Sequence, residues 1–136
     1  MCGIVGFTGH QSAKDVLIEG LKRLEYRGYD SAGIALQNAT NEELTVVHRV
    51  GKVAGLAEAV EYLNNASPCG IGHTRWATHG APSERNAHPH TSCDNKIAVV
   101  HNGIIENFAE LREQLEARGH KFRSDTDTEV VAHLIE

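Results

Sequence analysis

The sequence predicts one α+β domain, in which short buried strands alternate with amphipathic helices. Runs of apolar, often β-branched residues are bounded by glycine or polar turn residues, as is typical of strands. Longer segments repeat apolar residues at three- and four-residue spacing, as helices with one buried face do. The length of 136 residues agrees with a single domain of ordinary size.

These patterns place the elements of the first half of the chain. They predict a strand at 4–7, a helix at 13–24, strands at 34–36 and 44–50, and a helix at 53–63. The first strand lies between glycines and begins almost at residue 2, so we expect it to hold the chain terminus in a sheet. Ser12 precedes the first helix as an N-cap residue. The short polar stretch after residue 36 predicts that the second and third strands form an adjacent antiparallel pair.

The second half continues the same alternation. It predicts strands at 71–75 and 97–100, a helix marked by apolar residues from 108 to 115, and a last helix at 129–135. Gly119 is expected to end the first of these helices. Thr126, followed three residues later by Glu129, is a capping-box pattern that predicts the start of the last helix. Residues 75–90 show neither the two-residue alternation of a strand nor the helical repeat of apolar residues, but they are rich in side chains that can take part in chemistry.

Composition excludes several classes of protein. The chain has 13 Lys and Arg against 18 Asp and Glu, a net charge of −5, so a broad nucleic-acid surface is not expected. No apolar run has the roughly 18 residues of a membrane helix, and the N-terminus lacks the pattern of a signal peptide. We therefore expect a cytoplasmic protein without a membrane partner. The 3 cysteines lack CxxC spacing and predict no disulfide framework.

Cys2 is the sharpest candidate for chemistry. Once Met1 is removed, Cys2 would carry a free α-amino group beside its own thiol. An α-amine titrates near about 7.7 to 8.0 and a thiol near about 8.5, so the amine can act as general base for the thiol. No separate catalytic histidine is then needed. The alternative interpretation is a small apolar residue at a strand end.

Asn102 and Gly103 follow the predicted strand at 97–100. Acyl transfer needs hydrogen-bond donors placed where negative charge develops on the carbonyl oxygen. A side-chain amide beside a glycine N–H can supply two such donors. The alternative is an ordinary turn, because Asn-Gly is a common turn dipeptide.

Two further positions carry charges that suit a small zwitterionic ligand. Arg75 can bind a carboxylate through two hydrogen bonds, and Thr78 and His79 lie close to it in sequence. An isolated arginine, however, is usually a solvated charge. Asp127 can hold an ammonium group, or it can simply stabilise the start of the last helix.

The histidines raise the question of a metal site. His79, His88, His90 and Cys93 include one His-Pro-His pair, and zinc accepts nitrogen and sulfur ligands. The pair lacks the spacing of zinc-finger patterns, and no second cysteine lies near Cys93. We therefore expect polar loop histidines, with no metal and no cofactor.

Five motifs carry a resemblance that runs from the first residue to the last. They are MCGIVGF at 1–7, RLEYRGYDSAGIA at 23–35, HTRWATHGAPSERNAHPH at 73–90, VVHNGIIENF at 99–108 and SDTDTEVVAHLI at 124–135. In this order they resemble the N-terminal glutaminase domains of the glucosamine-6-phosphate synthase family, the isomerizing glutamine–fructose-6-phosphate aminotransferases. CGIVG is shared across class II glutamine amidotransferases. RLEYRGYDSAG and TRWATHG point to the sugar-phosphate family rather than to phosphoribosylpyrophosphate amidotransferase or asparagine synthetase.

The resemblance implies the four-layer αββα fold of the N-terminal-nucleophile hydrolases. It implies an enzyme in which Cys2 attacks the side-chain amide carbon of glutamine, forms a thioester with loss of ammonia and releases glutamate by hydrolysis. Asn102 and Gly103 would form the oxyanion hole.

The resemblance also implies how glutamine is held. Its α-carboxylate end would be bound by Arg75, Thr78 and His79, and its α-amino group by Asp127. Trp76 matches a family tryptophan tied to the opening of the ammonia route. These roles agree with the charges, because a free amino acid presents one carboxylate and one ammonium group.

In whole enzymes of the family, ammonia passes to C-terminal sugar isomerase domains that make glucosamine 6-phosphate from fructose 6-phosphate. We expect residues 1–136 to be a partial glutaminase domain with an incomplete fold, which meets fructose 6-phosphate only through domains absent from this sequence. The full-length enzyme is expected to be a homo-oligomer. The alternatives are another class II amidotransferase, or an inactive fragment or metal-binding module on the same fold.

Overall fold

A computed structural model describes residues 2–25, 30–41, 43–63, 67–76 and 80–136. Its strands are β1 (Gly3–Thr8), β2 (Ser31–Gln37), β3 (Leu44–Val50), β4 (Cys69–Arg75), β5 (His90–Thr91) and β6 (Ala98–Val99). Its helices are α1 (Ala13–Leu24), α2 (Val53–Val60), α3 (Phe108–Ala117) and α4 (Glu129–Ile135), with one turn of 3₁₀ helix at Glu84–Asn86. None of the described helices is long and apolar enough to cross a membrane.

Four antiparallel strands form the main sheet in the order β1-β4-β2-β3. Gly3 at the start of β1 pairs with Thr74, and Ser31 at the start of β2 pairs with Arg75. Both strands therefore begin at the same edge of the sheet where β4 ends. This register brings the chain terminus next to the polar segment that follows β4.

Helices α1 and α2 cover one face of the main sheet. The apolar spacing of α1 turns Leu17 and Leu21 fully into the core, and Ser12 caps the helix by accepting from the Asp15 N–H at 3.5 Å. The buried cluster consists of Ala13, Leu17, Leu21, Ala32, Ile34, Leu36, Val53, Leu56 and Val60. Burial of such side chains is the main favourable term in folding, so this layer is the principal core of the domain.

The opposite face of the main sheet packs on the segment that leads into β5. Gly33 in β2 leaves room for this contact, because a Cβ added there would lie 2.0 Å from the His88 carbonyl oxygen. His48 Nε2 lies 2.7 Å from the Pro89 carbonyl oxygen on the same side. Strands β5 and β6 form a second antiparallel sheet, α4 packs on both of them, and α3 packs on α4. The layers thus follow the order helix, sheet, sheet, helix.

The structure corrects one predicted helix end and confirms another. Helix α2 ends at Val60 rather than at residue 63. The buried Lys14 ammonium donates to the carbonyl oxygens of Val60 and Leu63 at 3.2 and 3.0 Å, and so supplies partners for carbonyl groups that the end of the helix leaves without one. Helix α3 ends at Ala117, and Gly119 follows with a φ of +97°, as expected of the residue that ends this helix.

The predicted capping box at Thr126 is wrong. The N-cap residue of α4 is Thr128, and the side chain of Thr126 is instead bonded to His90 Nε2 at 2.7 Å. The Glu129 carboxylate does accept backbone N–H groups ahead of the helix, but they belong to Ser124 and Arg123. A tertiary partner has taken the hydroxyl that the local pattern assigned to the cap.

Candidate active site

Cys2 lies immediately before β1, opposite the end of β4. The Gly3 N–H donates to Thr74 Oγ1 at 3.0 Å, which fixes the backbone beside the cysteine. The Trp76 N–H donates to Cys2 Sγ at 3.1 Å. The thiol is half-buried rather than packed into the core, because β1 begins one residue later and leaves it at the sheet edge.

Asn102 reaches the same cysteine from a different part of the chain. Its Nδ2 donates to the Cys2 carbonyl oxygen at 2.9 Å, and its Oδ1 lies 2.9 Å from His73 Nε2. Burial lowers the pKa of His73 to about 4, so the ring is neutral at neutral pH. The neutral ring donates through Nε2 to Oδ1, which turns the amide N–H₂ toward Cys2.

Gly103 follows with a φ of +150°, a conformation that glycine adopts without strain. A Cβ at this position would lie 3.0 Å from the ring of His101. The Asn-Gly pair is therefore a tight backbone bend, as the turn interpretation expects, and the same bend brings Asn102 to Cys2. The two interpretations are not exclusive here.

Arg75 is almost completely buried, with 3% of its surface exposed. Its guanidinium donates to the carbonyl oxygens of Gly80 and Ala81 at 3.0 and 3.3 Å and lies 4.0 Å from Asp30 Oδ1. Burial lowers the pKa of the Arg75 guanidinium, and the charge of Asp30 opposes that shift. Arg75 is thus a positioned charge, not a solvated one.

Asp127 is buried at the start of the segment that becomes α4. Its Oδ2 accepts the Ile105 N–H at 2.6 Å. This bond links the residue to the loop that carries Asn102 and Gly103. Asp127 also contributes to the helix start, because its carbonyl oxygen accepts the Val130 N–H at 3.2 Å. Binding of an ammonium group by this carboxylate stays a prediction.

These residues surround one cleft of about 240 Å³. It is lined by Cys2, Arg75, Trp76, His88, His101, Gly103, Ile104, Thr126, Asp127 and Thr128. Asn102 is not one of these lining residues but is bonded to the backbone of Cys2, and Trp76 stands 55% exposed at the edge. Thr78 and His79, the other two predicted site residues, lie outside the described residues.

Sequence reasoning took His88 and His90 for polar loop residues and missed His73, but all three side chains are buried. The rings of His73 and His88 stack with their centroids 4.2 Å apart, and His90 lies 4.5 Å from His88. Burial lowers the pKa of His90 to about 3 and, together with the charge of His73, takes that of His88 far below its usual value. A polar residue inside the apolar strand pattern at 71–75 was the available indication for His73.

Likeness to solved structures confirms the predicted fold. The chain superposes on glutamine phosphoribosylpyrophosphate amidotransferase from B. subtilis with a TM-score of 0.78 and 32% identity, over 99% of this chain and 29% of that one. A second structure, titled as the allosteric regulatory enzyme of purine biosynthesis, gives a TM-score of 0.80 and 34% identity over the same shares. The chain therefore has the N-terminal-nucleophile hydrolase fold.

Sequence comparison narrows this class. A model of the glutamine amidotransferase domain matches residues 58–136. All 136 residues align with the isomerizing glutamine–fructose-6-phosphate aminotransferases of Thermus thermophilus at 65% identity and of Pyrococcus horikoshii at 60%. The chain belongs to the glutamine amidotransferase domain family, as its motifs predicted. It spans 22% of the length of these two curated relatives.

Proposed function

We propose that this domain hydrolyses the side-chain amide of glutamine to glutamate and ammonia, with Cys2 as the nucleophile. The observation that carries the proposal is that Cys2, Arg75 and Asp127 line one cleft, with the Asn102 amide bonded to the backbone of Cys2. The family is one of glutamine amidotransferases, which makes glutamine the natural ligand for a pocket with both charges.

The first step needs a free amino terminus. Removal of Met1 exposes the α-amine of Cys2, which takes the thiol proton as Sγ attacks the amide carbon. The tetrahedral intermediate carries its negative charge on the former carbonyl oxygen. The Asn102 Nδ2 group, within hydrogen-bond reach of Cys2, and the Gly103 N–H are the donors proposed for this oxyanion.

The intermediate then collapses to a γ-glutamyl thioester, and the α-ammonium of Cys2 returns the proton to the departing ammonia. Water attacks the thioester through a second oxyanion, which releases glutamate and restores the thiol. Two chemically similar intermediates thus use the same pair of donors. This shared use explains why a single small cleft suffices for both half-reactions.

The ends of glutamine are assigned by charge. The α-carboxylate is proposed to face Arg75, with Thr78 and His79 completing this end as the resemblance implies. The α-ammonium is proposed to face Asp127, whose buried carboxylate lines the cleft. Trp76 is proposed to gate the exit of ammonia, since it stands at the edge of the cleft and its backbone N–H contacts the nucleophile.

The fate of ammonia depends on the longer protein of which we propose this chain to be the partial glutaminase domain. The relatives named as glutamine–fructose-6-phosphate aminotransferases match at 60% to 65% identity, against 32% and 34% for the two solved structures. We therefore propose that ammonia serves glucosamine 6-phosphate synthesis from fructose 6-phosphate in domains outside this sequence. A homo-oligomeric, cytoplasmic enzyme is part of the same proposal.

Mass spectrometry of the purified protein tests the nucleophile. We expect Met1 to be absent and a glutamine-mimicking diazoketone to add once per chain, at Cys2. The matched control is Cys69→Ala, which removes another half-buried cysteine and should keep both labelling and ammonia release. Cys2→Ala should abolish both. Retention of Met1 in active protein, or labelling that survives in Cys2→Ala, would contradict the proposal.

A further inference from the structure

Four side chains with metal-binding atoms meet at the far end of α4 from the cleft. They are Cys93, His120, His133 and Glu136, and their ligand atoms all lie within 4.8 Å of one another. His133 is roughly 9 Å further along the helix direction than Asp127, at the usual rise per residue. Among the described residues, this is the one group of three or more such side chains able to converge on an ion.

We propose that these four residues form a structural zinc site, separate from the glutamine cleft. Zn–N and Zn–O bonds of about 2.0–2.1 Å and a Zn–S bond of about 2.3 Å give tetrahedral edges of about 3.3 to 3.6 Å. The sulfur of Cys93 lies 3.6 Å from His133 Nδ1. Glu136 Oε2 lies 3.2 Å from His133 Nδ1 and 3.6 Å from His120 Nδ1. Three of the six distances between ligand atoms are therefore close to the edges of a zinc tetrahedron, and all six lie within 4.8 Å.

The surroundings of His133 orient it as a ligand. Its Nε2 lies 2.9 Å from Glu129 Oε2, and both side chains are almost completely buried. The Glu129 carboxylate is itself fixed by the backbone N–H groups of Arg123 and Ser124 at 2.8 and 2.7 Å. A metal-bound histidine commonly donates its other N–H to such a carboxylate. His133 Nε2 donates here, which leaves the lone pair of Nδ1 facing the centre of the cluster.

The surroundings of Cys93 suit a thiolate. The Lys121 N–H donates to Cys93 Sγ at 3.3 Å, and a hydrogen bond of this kind stabilises negative charge on sulfur. One thiolate, two imidazoles and one carboxylate favour zinc over calcium or magnesium, which prefer oxygen ligands alone. Four protein ligands leave no open position, so the site would be structural rather than catalytic.

A metal-free arrangement of the same residues is the competing explanation. With Nε2 of His133 donating to Glu129, a metal-free Nδ1 would present its lone pair to the Glu136 carboxylate at 3.2 Å. If His133 carried a proton on both ring nitrogens, its positive charge would lie between the carboxylates of Glu129 and Glu136 and form an ion pair with each. The experiment therefore has to distinguish a zinc ion bound at His133 Nδ1 from a proton on the same nitrogen.

Zinc would join three segments that are distant in sequence. Cys93 follows β5, His120 follows α3, and His133 and Glu136 belong to the end of α4. Because the segment at the start of α4 carries Asp127, a fixed helix end would also hold one wall of the cleft. Zinc removal is therefore expected to lower thermal stability first and to affect glutamine affinity only indirectly.

Metal content of the purified protein tests the site directly. After EDTA treatment, the protein is incubated with ZnCl₂, desalted and assayed by mass spectrometry of the metal. We expect one zinc per chain in the wild type and in the control Cys69→Ser. Cys93→Ser and His120→Asn should weaken zinc binding by at least about tenfold. His120→Asn keeps the test valid if Cys93→Ser fails to fold, because His120 is partly exposed.

Two measurements distinguish a bound metal from an ion pair: the absorption spectrum with cobalt, and the change in Tm on addition of zinc. CoCl₂ should produce a sulfur-to-cobalt charge-transfer band in the wild type and in Cys69→Ser but not in Cys93→Ser. Zinc should raise the Tm of the wild type and leave that of His120→Asn unchanged. Folded wild-type protein that retains no zinc, or binding equal in Cys93→Ser and His120→Asn to that of the wild type, would overturn the proposal.

Discussion

Asn102 is held at both ends of its side-chain amide. Its Nδ2 contacts Cys2 and its Oδ1 contacts His73. Because burial keeps His73 neutral, the ring donates one hydrogen bond and fixes which way the amide faces. The donor is therefore oriented before any substrate arrives, which is the condition for strong stabilisation of an oxyanion.

Asn102→Asp replaces this donor by a group that only accepts hydrogen bonds. We expect kcat for glutamine hydrolysis to fall by about 10²- to 10³-fold, with a much smaller change in KM. Ammonia release under steady-state conditions measures both. The control is Asn107→Asp, an exposed residue at the start of α3 whose side chain makes no capping bond. An unchanged kcat in Asn102→Asp would remove this residue from the proposed oxyanion hole.

Asp127 gives a second prediction, about binding rather than chemistry. Asp127→Asn keeps an oxygen that can accept the Ile105 N–H but removes the charge that would hold an ammonium group. A charged hydrogen bond is worth more than a neutral one, so we expect KM for glutamine to rise roughly 10- to 100-fold and kcat to change less. Its neighbour Asp125, exposed and paired with Arg85, supplies the control Asp125→Asn. Equal KM values in the two variants would contradict the assignment.

At the scale of elements, the approach of the two sheets depends on Gly33. A Cβ at this position would lie 2.0 Å from the His88 carbonyl oxygen, which is backbone and cannot rotate away. The His88 ring stacks on His73 of β4, so a shift of this segment would disturb the support of Asn102 as well. Close packing of the sheets and orientation of the amide donor are therefore coupled.

Gly33→Ala is expected to destabilise the fold by more than about 3 kcal/mol or to prevent folding, because a backbone contact must be broken. The matched control is Gly6→Ala in β1, where an added Cβ meets nothing within 4 Å. Urea unfolding followed by circular dichroism compares the two free energies of unfolding. Similar values for both variants would mean that the second sheet does not need this close contact.

At the scale of the whole molecule, local patterns predicted elements better than they predicted partners. The helix at 13–24 was placed to the residue because its cap and apolar spacing are encoded within it. The capping box at Thr126 failed because His90, 36 positions away, takes the hydroxyl. Cys2, Arg75 and Asp127 were chosen as candidates from the chemistry of their own side chains: a thiol beside a terminal amine, a guanidinium and a carboxylate. The support of Asn102 by His73 was not found, since no local pattern encodes a contact across 29 residues.

The buried histidines between the sheets give a prediction for the whole molecule. Burial lowers the pKa of His73 from 6.5 to about 4 and that of His90 to about 3. As the pH falls below 6.5, these histidines therefore become protonated in the unfolded chain but stay neutral in the folded one. The free energy of unfolding should therefore be steady above pH 6.5 and fall as pH drops toward 4. Each of these histidines, including His88, contributes up to about 1.4 kcal/mol per pH unit in that window.

Urea unfolding between pH 7 and pH 4.5, in EDTA to exclude any metal, measures this slope. His88→Gln should reduce the proton uptake on unfolding by about one, because its ring stays neutral in the fold throughout the window. The control His10→Gln removes an exposed histidine and should leave the slope unchanged. If the two variants have equal slopes, the acid sensitivity of the fold lies in its carboxylates and not in the histidines that join the two sheets.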